Sequence, residues 1–157
     1  MKCWDLLPRV ARTNHKGHKG HKVSKLNLIF EPIPEDDERI AHAVIGAAIE
    51  VHRVLGPGFL ESVYRKSLRH ELALREYSSE EELALIVQFK DLRIDGQRPD
   101  LLVERRVIVE LKCADKFAPI HEAILLSYLK TMRLRLGLML NFKTVILKEG
   151  GIKRVVW

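Results

Sequence analysis

The segment Val107-Ile-Val-Glu-Leu-Lys-Cys-Ala114 limits what this chain can fold into more than any other. Its aliphatic residues fall on both faces of an extended strand, so it reads as a central strand buried on both sides. Two residues break that pattern. Val107, Val109 and Leu111 point one way, while Ile108, Glu110 and Lys112 point the other, so a carboxylate and an ammonium share one face of an otherwise apolar strand.

The segment Asp100–Val103 lies just upstream, separated from it by Glu104, Arg105 and Arg106. It reads as the other arm of a β-hairpin. With a three-residue connection, the register sets Asp100 opposite Glu110 on the same face. Like charges directly across a strand pair repel, and unpaired buried charge is costly, so this position needs a reason. A hard divalent cation supplies one, because Mg²⁺ is usually held by one or two carboxylates while keeping waters and substrate phosphate oxygens. Lys112 then stands beside the metal, placed to orient an attacking water or to stabilise charge developing on a phosphate. The competing reading is a surface strand with a Glu–Lys salt bridge, which Pro99 before Asp100 and the apolar surroundings of Glu110 disfavour.

Upstream, Ile40, Val44, Ala47, Ala48, Val51, Val54 and Leu55 recur at three- and four-residue steps, predicting an amphipathic helix from Asp37 to Leu55. Gly56-Pro57-Gly58 ends it, and a second helix is expected from about Leu60 to Arg75. In that helix Glu61 falls in line with Tyr64, Leu68 and Leu72, a carboxylate aimed inward. A first-turn Glu favoured by the helix dipole is the alternative reading. Glu50 lies on the shoulder of the first helix's apolar face.

A polar stretch follows at Ser78–Glu82, then a strand over Leu83–Phe89, then Arg93 and Ile94 leading into a turn at Asp95-Gly96. After the hairpin, Pro119 opens a third helix, about His121–Thr131. His121, Leu125 and Tyr128 line one side of it. Tyr128 is a candidate to bond phosphate or brace Lys112, and His121 reads as a capping histidine. Strands are expected at Leu134–Phe142, Val145–Lys148 and Ile152–Trp157, the last two joined by a Gly150-Gly151 turn. His42, His52 and His70 lie off their helices' apolar faces and carry no assignment.

The chain has 157 residues, 46% hydrophobic and 31% charged, which fits one compact domain with appendages. Residues 14–22 read NHKGHKGHK, with nothing to bury, so residues 1–28 are expected to be a disordered basic tail and 29–157 the domain. The formal net charge of +6 sits in that tail; the remainder is neutral, so nucleic-acid affinity must come from local clusters. His15, His18 and His21 could chelate a transition metal. Cys3 and Cys113 form neither a disulfide framework nor a CxxC site, and no long apolar run marks a membrane span or signal, so a cytoplasmic protein is expected.

Gly58, Glu61 and Tyr64 in GFLESVY match the pattern that names the GxxExxY proteins. IGAAIEVHRVLGPGFLESVY, PDLLVERRVIVELK, HEAILLSYLK, GLMLNF and IKRVV follow in the order that family shows them. Over about residues 38–157 the chain therefore resembles the GxxExxY family of the PD-(D/E)xK nuclease-like superfamily. The resemblance implies an α/β, restriction-endonuclease-like core, a central mixed sheet flanked by helices behind an N-terminal helical hairpin. It implies Asp100 and Glu110 as metal-binding carboxylates, Lys112 as the catalytic lysine, and Glu61, or alternatively Glu50, as the acidic residue of the helical region. Tyr64 is carried over as a signature residue.

The expectation is a Mg²⁺- or Mn²⁺-dependent nuclease acting on DNA or RNA. One position departs: Ile124 stands where that segment commonly has glutamine, four residues before Tyr128. A weakened or inactive nuclease fold serving as a binding or regulatory module is the alternative.

Overall fold

A computed structural model of the chain describes residues 32–157. The basic segment 1–28, its histidines and Cys3 lie outside the described residues. The chain runs α1 (Glu35–Leu55), α2 (Glu61–Leu74), β1 (Ser79–Glu81), β2 (Leu85–Phe89), β3 (Leu92–Gln97), β4 (Leu101–Val103), β5 (Val107–Lys112), α3 (Pro119–Met132), β6 (Leu136–Asn141) and β7 (Ile152–Val156). Five strands form a mixed sheet in the order β1-β4-β5-β6-β7, and β2 and β3 form a separate hairpin. Only β5 and β6 are parallel within the sheet, and α3 makes the crossover that a parallel pair requires.

Side-chain alternation on β4 and β5 splits the core into two layers. Leu101, Val103, Val107, Val109 and Leu111 pack with Ala41, Val44, Ala48, Tyr64 and Leu68 of the helical hairpin. Leu102 and Ile108 pack with Leu125, Tyr128 and Leu129 of α3. Helices thus cover both faces, as the twofold-apolar β5 demands. Close approach of α3 to the sheet depends on Gly137, where an added Cβ would stand 2.8 Å from the Leu125 side chain.

The helical hairpin forms as expected. Gly56, at φ 69°, ends α1 with its amide bonded to the His52 carbonyl. Pro119 opens α3. The Ala118 amide donates to His121 Nδ1 at 3.2 Å, so His121 caps that helix.

Four expectations need correction. The polar stretch Ser78–Glu82 contains β1, a short edge strand held by pairing to the buried β4. Asp95-Gly96 is no turn: the chain reverses at Lys90-Asp91, and Gly96, at φ 140°, sits in a bulge where β2 residues Leu85 and Ile86 face Gln97 and Asp95. Val145–Lys148 is not a strand, because β7 already pairs with β6, leaving this run in a turn-rich loop with Val145 84% exposed. His52 is buried, its Nε2 2.8 Å from the Thr144 carbonyl oxygen, which pins that loop to α1.

Candidate active site

The β4–β5 hairpin sets the site. Its connection, Glu104 to Arg106, places Glu104 and Arg105 at positive φ and closes with the Arg106 amide on the Val103 carbonyl. The ladder from Val103–Val107 to Leu101–Val109 fixes the register, which continued by one step sets Asp100 against Glu110. Side chains lock that step: the Asp100 amide donates to Glu110 Oε1 at 3.2 Å, and the Leu111 amide donates to Asp100 Oδ2 at 2.8 Å. At the far end of β5, the buried Asn141 side chain bonds both the amide (3.1 Å) and the carbonyl (2.7 Å) of Ala114, fixing the chain as it leaves Lys112.

Three oxygens converge on the Lys112 ammonium: the Leu111 carbonyl at 2.8 Å, Glu110 Oε2 at 3.1 Å and Asp100 Oδ2 at 4.0 Å. Glu110 is 6% exposed. Burial, then the charge of Asp100, pushes its carboxyl up to about 7 against the pull of Lys112. Burial alone would lower the Lys112 ammonium, but Glu110 and Asp100 outweigh it and the pKa rises.

Glu61, in the first turn of α2, stands within electrostatic reach of Lys112 and Asp100. Burial raises its carboxyl, with Lys112 and the Cys113 backbone amide opposing. Burial and then the Glu110 and Asp100 charges raise the Tyr128 phenol, which stands on α3 within electrostatic reach of the same cluster.

The arrangement therefore brings together Asp100, Glu110, Lys112, Glu61 and Tyr128. It does not bring in Glu50, which faces outward and is bound through both oxygens to Arg53. The shoulder position gave Glu50 access to solvent, and a cation three residues on captured it. Tyr64 is buried for another purpose. Its hydroxyl donates to the Gly56 carbonyl at 2.7 Å and accepts from the Phe59 amide at 3.1 Å, while its ring stacks on Phe142 at 4.4 Å. In the GxxExxY motif, then, Gly58 (φ 113°) shapes the corner, Tyr64 stitches it to the core, and Glu61 faces the site.

Read by sequence, Arg65 groups with Lys66 and Arg69 as a basic cluster suited to phosphate, and is not placed at the site. It contacts Asp100, Glu81 and Glu82, and Arg69 also binds Glu81. The available signal was its place one helical turn beyond Glu61.

Among the described residues no group of three or more His, Cys, Asp or Glu side chains is arranged for a metal. The set around Lys112 is instead two carboxylates and a main-chain carbonyl. It is all oxygen, anionic and already gathered about one positive charge, which fits a hard divalent ion that keeps some of its waters.

No helix among the described residues is long and apolar enough to cross a membrane, and no curated protein matches the chain. A solved structure of a protein named SSO0001 is similar at 17% identity with a TM-score of 0.47. The match covers 76% of this chain and 61% of that one. The model of the PD-(D/E)XK nuclease superfamily matches residues 38–155, spanning both helical layers, the sheet apart from the last residue of β7, and the cluster at Asp100, Glu110 and Lys112. With a mixed five-stranded sheet flanked by helices to carry it, the chain belongs to the PD-(D/E)XK nuclease superfamily.

Proposed function

We propose that residues 29–157 form a divalent-metal-dependent phosphodiesterase acting on DNA or RNA, with Mg²⁺ or Mn²⁺ held by Asp100 and Glu110. The observation that carries this reading is the convergence of Asp100, Glu110 and the Leu111 carbonyl on one cation position. The Leu111 carbonyl would complete the protein's share of the ligands. Bound there, the ion would supply Lewis-acid polarisation of the phosphate and charge neutralisation as the P–O bond breaks.

Lys112, displaced from between the carboxylates, would orient the attacking water or face the phosphate oxygens as negative charge builds on them. Glu61 would complete the acidic side of the cleft. Tyr128 would offer its hydroxyl to a phosphate oxygen from α3. Tyr64 and Glu50 have no part in the chemistry. A second reading, a nuclease fold that binds without cutting, is favoured by Ile124, which packs against the apolar cluster of α3 and offers the cleft no polar group.

Calorimetric Mg²⁺ titration of the full chain against a folded Asp100→Ala, Glu110→Ala double variant tests the proposal. Binding by the wild type, lost in the variant, is expected, followed by metal-dependent cleavage of DNA or RNA oligonucleotides. No binding at millimolar metal, with or without an oligonucleotide, would end the catalytic reading. Binding without cleavage would favour the second.

A further inference from the structure

Arg65 presents each arm of its guanidinium to a different carboxylate. Nε meets Glu81 Oε1 at 2.9 Å, one terminal nitrogen meets Glu82 Oε1 at 3.1 Å, and the other meets Asp100 Oδ1 at 3.2 Å. The side chain is only 16% exposed. The phosphodiesterase reading makes no use of it. An arginine needed only to tie α2 to β1 would be satisfied by Glu81, which Arg69 also holds. Its third arm instead lies on a carboxylate of the site.

We propose that Arg65, acting through its charge on Asp100, sets how tightly the site takes a divalent ion, an inference that rests on the metal-site reading above. A dication at Asp100 must share that carboxylate with a guanidinium that cannot swing away without breaking two more ion pairs. Five carboxylates (Glu61, Glu81, Glu82, Asp100, Glu110) gather here with three cations (Arg65, Arg69, Lys112). The cluster's surplus of negative charge is thus small, and Arg65 is the cation that trims it at Asp100. Because Asp100 Oδ2 is separately held by the Leu111 amide at 2.8 Å, removing Arg65 leaves the carboxylate anchored and takes away the repulsion.

Two substitutions that break the same ion pair separate this role from a purely structural one. Arg65→Gln removes the positive charge and should tighten Mg²⁺ binding by about tenfold. Glu81→Gln removes a negative charge while leaving Arg65 on Asp100, and should weaken binding by about threefold. Both should lower the melting temperature of the metal-free chain by similar amounts. Shifts of metal affinity in opposite directions support the proposal; shifts in the same direction, or none in Arg65→Gln, overturn it.

If Arg65→Gln fails to fold, Arg65→Lys carries the comparison. With the charge retained, its affinity should stay within about twofold of wild type while Glu81→Gln weakens; equal losses in the two would overturn the proposal. A wild type that binds no Mg²⁺ sinks the metal-site reading and this inference together. A wild type that binds while both variants move alike sinks this inference alone.

Discussion

Buried charge occurs at both ends of β5, and the two ends handle it differently. Beside the hairpin turn, Asp37 of α1 is 4% exposed and meets Arg106 at 2.6 Å, one carboxylate to one guanidinium. At the other end Glu110 and Asp100 share the Lys112 ammonium, Asp100 also meets Arg65 at 3.2 Å, and Glu61 stands nearby. The first end is a matched pair, which holds α1 against the turn. The second carries more carboxylate than cation, and burial, with the charge of Asp100 added to it, raises the Glu110 carboxyl to about 7. A fold has no need of such a surplus, and sites that handle charged ligands are where it gathers.

The largest expected effect tests that buried carboxyl directly. The folded chain holds a proton on Glu110 up to about pH 7, whereas an unfolded chain releases it near the ordinary glutamate value of 4.5. Stability is therefore present below pH 4.5 and is lost as pH rises through 7, by about 3 kcal/mol in total. Denaturant unfolding of the metal-free chain between pH 5 and 8 should show this decline, and Glu110→Gln should flatten it. Parallel curves for the two proteins would mean that the two ends of β5 do not differ in the way described.

The matched pair should answer in the opposite sense. Arg106→Ala strands the buried Asp37 carboxylate and should destabilise the chain by about 2 kcal/mol, less than for a fully buried pair because the Arg106 side chain is 43% exposed. Magnesium affinity should not change. A loss of affinity would show that the two ends are coupled along β5.

Much of this contrast was legible in the residues. Glu104-Arg105-Arg106 fixed the hairpin register, so Asp100 opposite Glu110 followed from alternation alone, and the period of α2 aimed Glu61 inward. The rest depended on tertiary pairing. Ser79-Glu80-Glu81 has no apolar period, and it becomes a strand only because β4 offers an open edge. Without β1, Glu81 has no known place, so the anchoring of Arg65 could not be read. Val145–Lys148 looked like a strand by composition, but β7 takes the edge of β6 that it would have needed. Glu50 and Glu61 lay near the apolar edges of neighbouring helices, and the ion pair with Arg53 separated them.

Tyr64 sharpens the distinction between a residue that supports the site and one that belongs to it. It is fully buried, and among the described residues its hydroxyl bonds Gly56 and Phe59 alone. Tyr64→Phe leaves a carbonyl and an amide without that partner and should cost about 1 kcal/mol in denaturant unfolding. Because the hydroxyl has no bond to Asp100, Glu110 or Lys112, Mg²⁺ affinity should hold. A drop in affinity with stability unchanged would return Tyr64 to the site.

The smallest effect comes from the residue next to Arg106. Arg105 pairs with Glu80 at 2.6 Å, but the two side chains are 75% and 38% exposed. Water solvates both ions whether or not they meet, and holding two long side chains in one geometry opposes the attraction. Arg105→Ala should therefore leave the melting temperature within about 2 °C of wild type, while Arg106→Ala, one position on, lowers it several-fold more. The two arginines share a turn and a charge, and each has its own carboxylate partner, Glu80 for Arg105 and Asp37 for Arg106; they differ in whether that partner has been taken out of water. Equal losses from the two substitutions would show that the turn's cations act on stability through the hairpin backbone. The buried Asp37 would then not be what makes Arg106 matter.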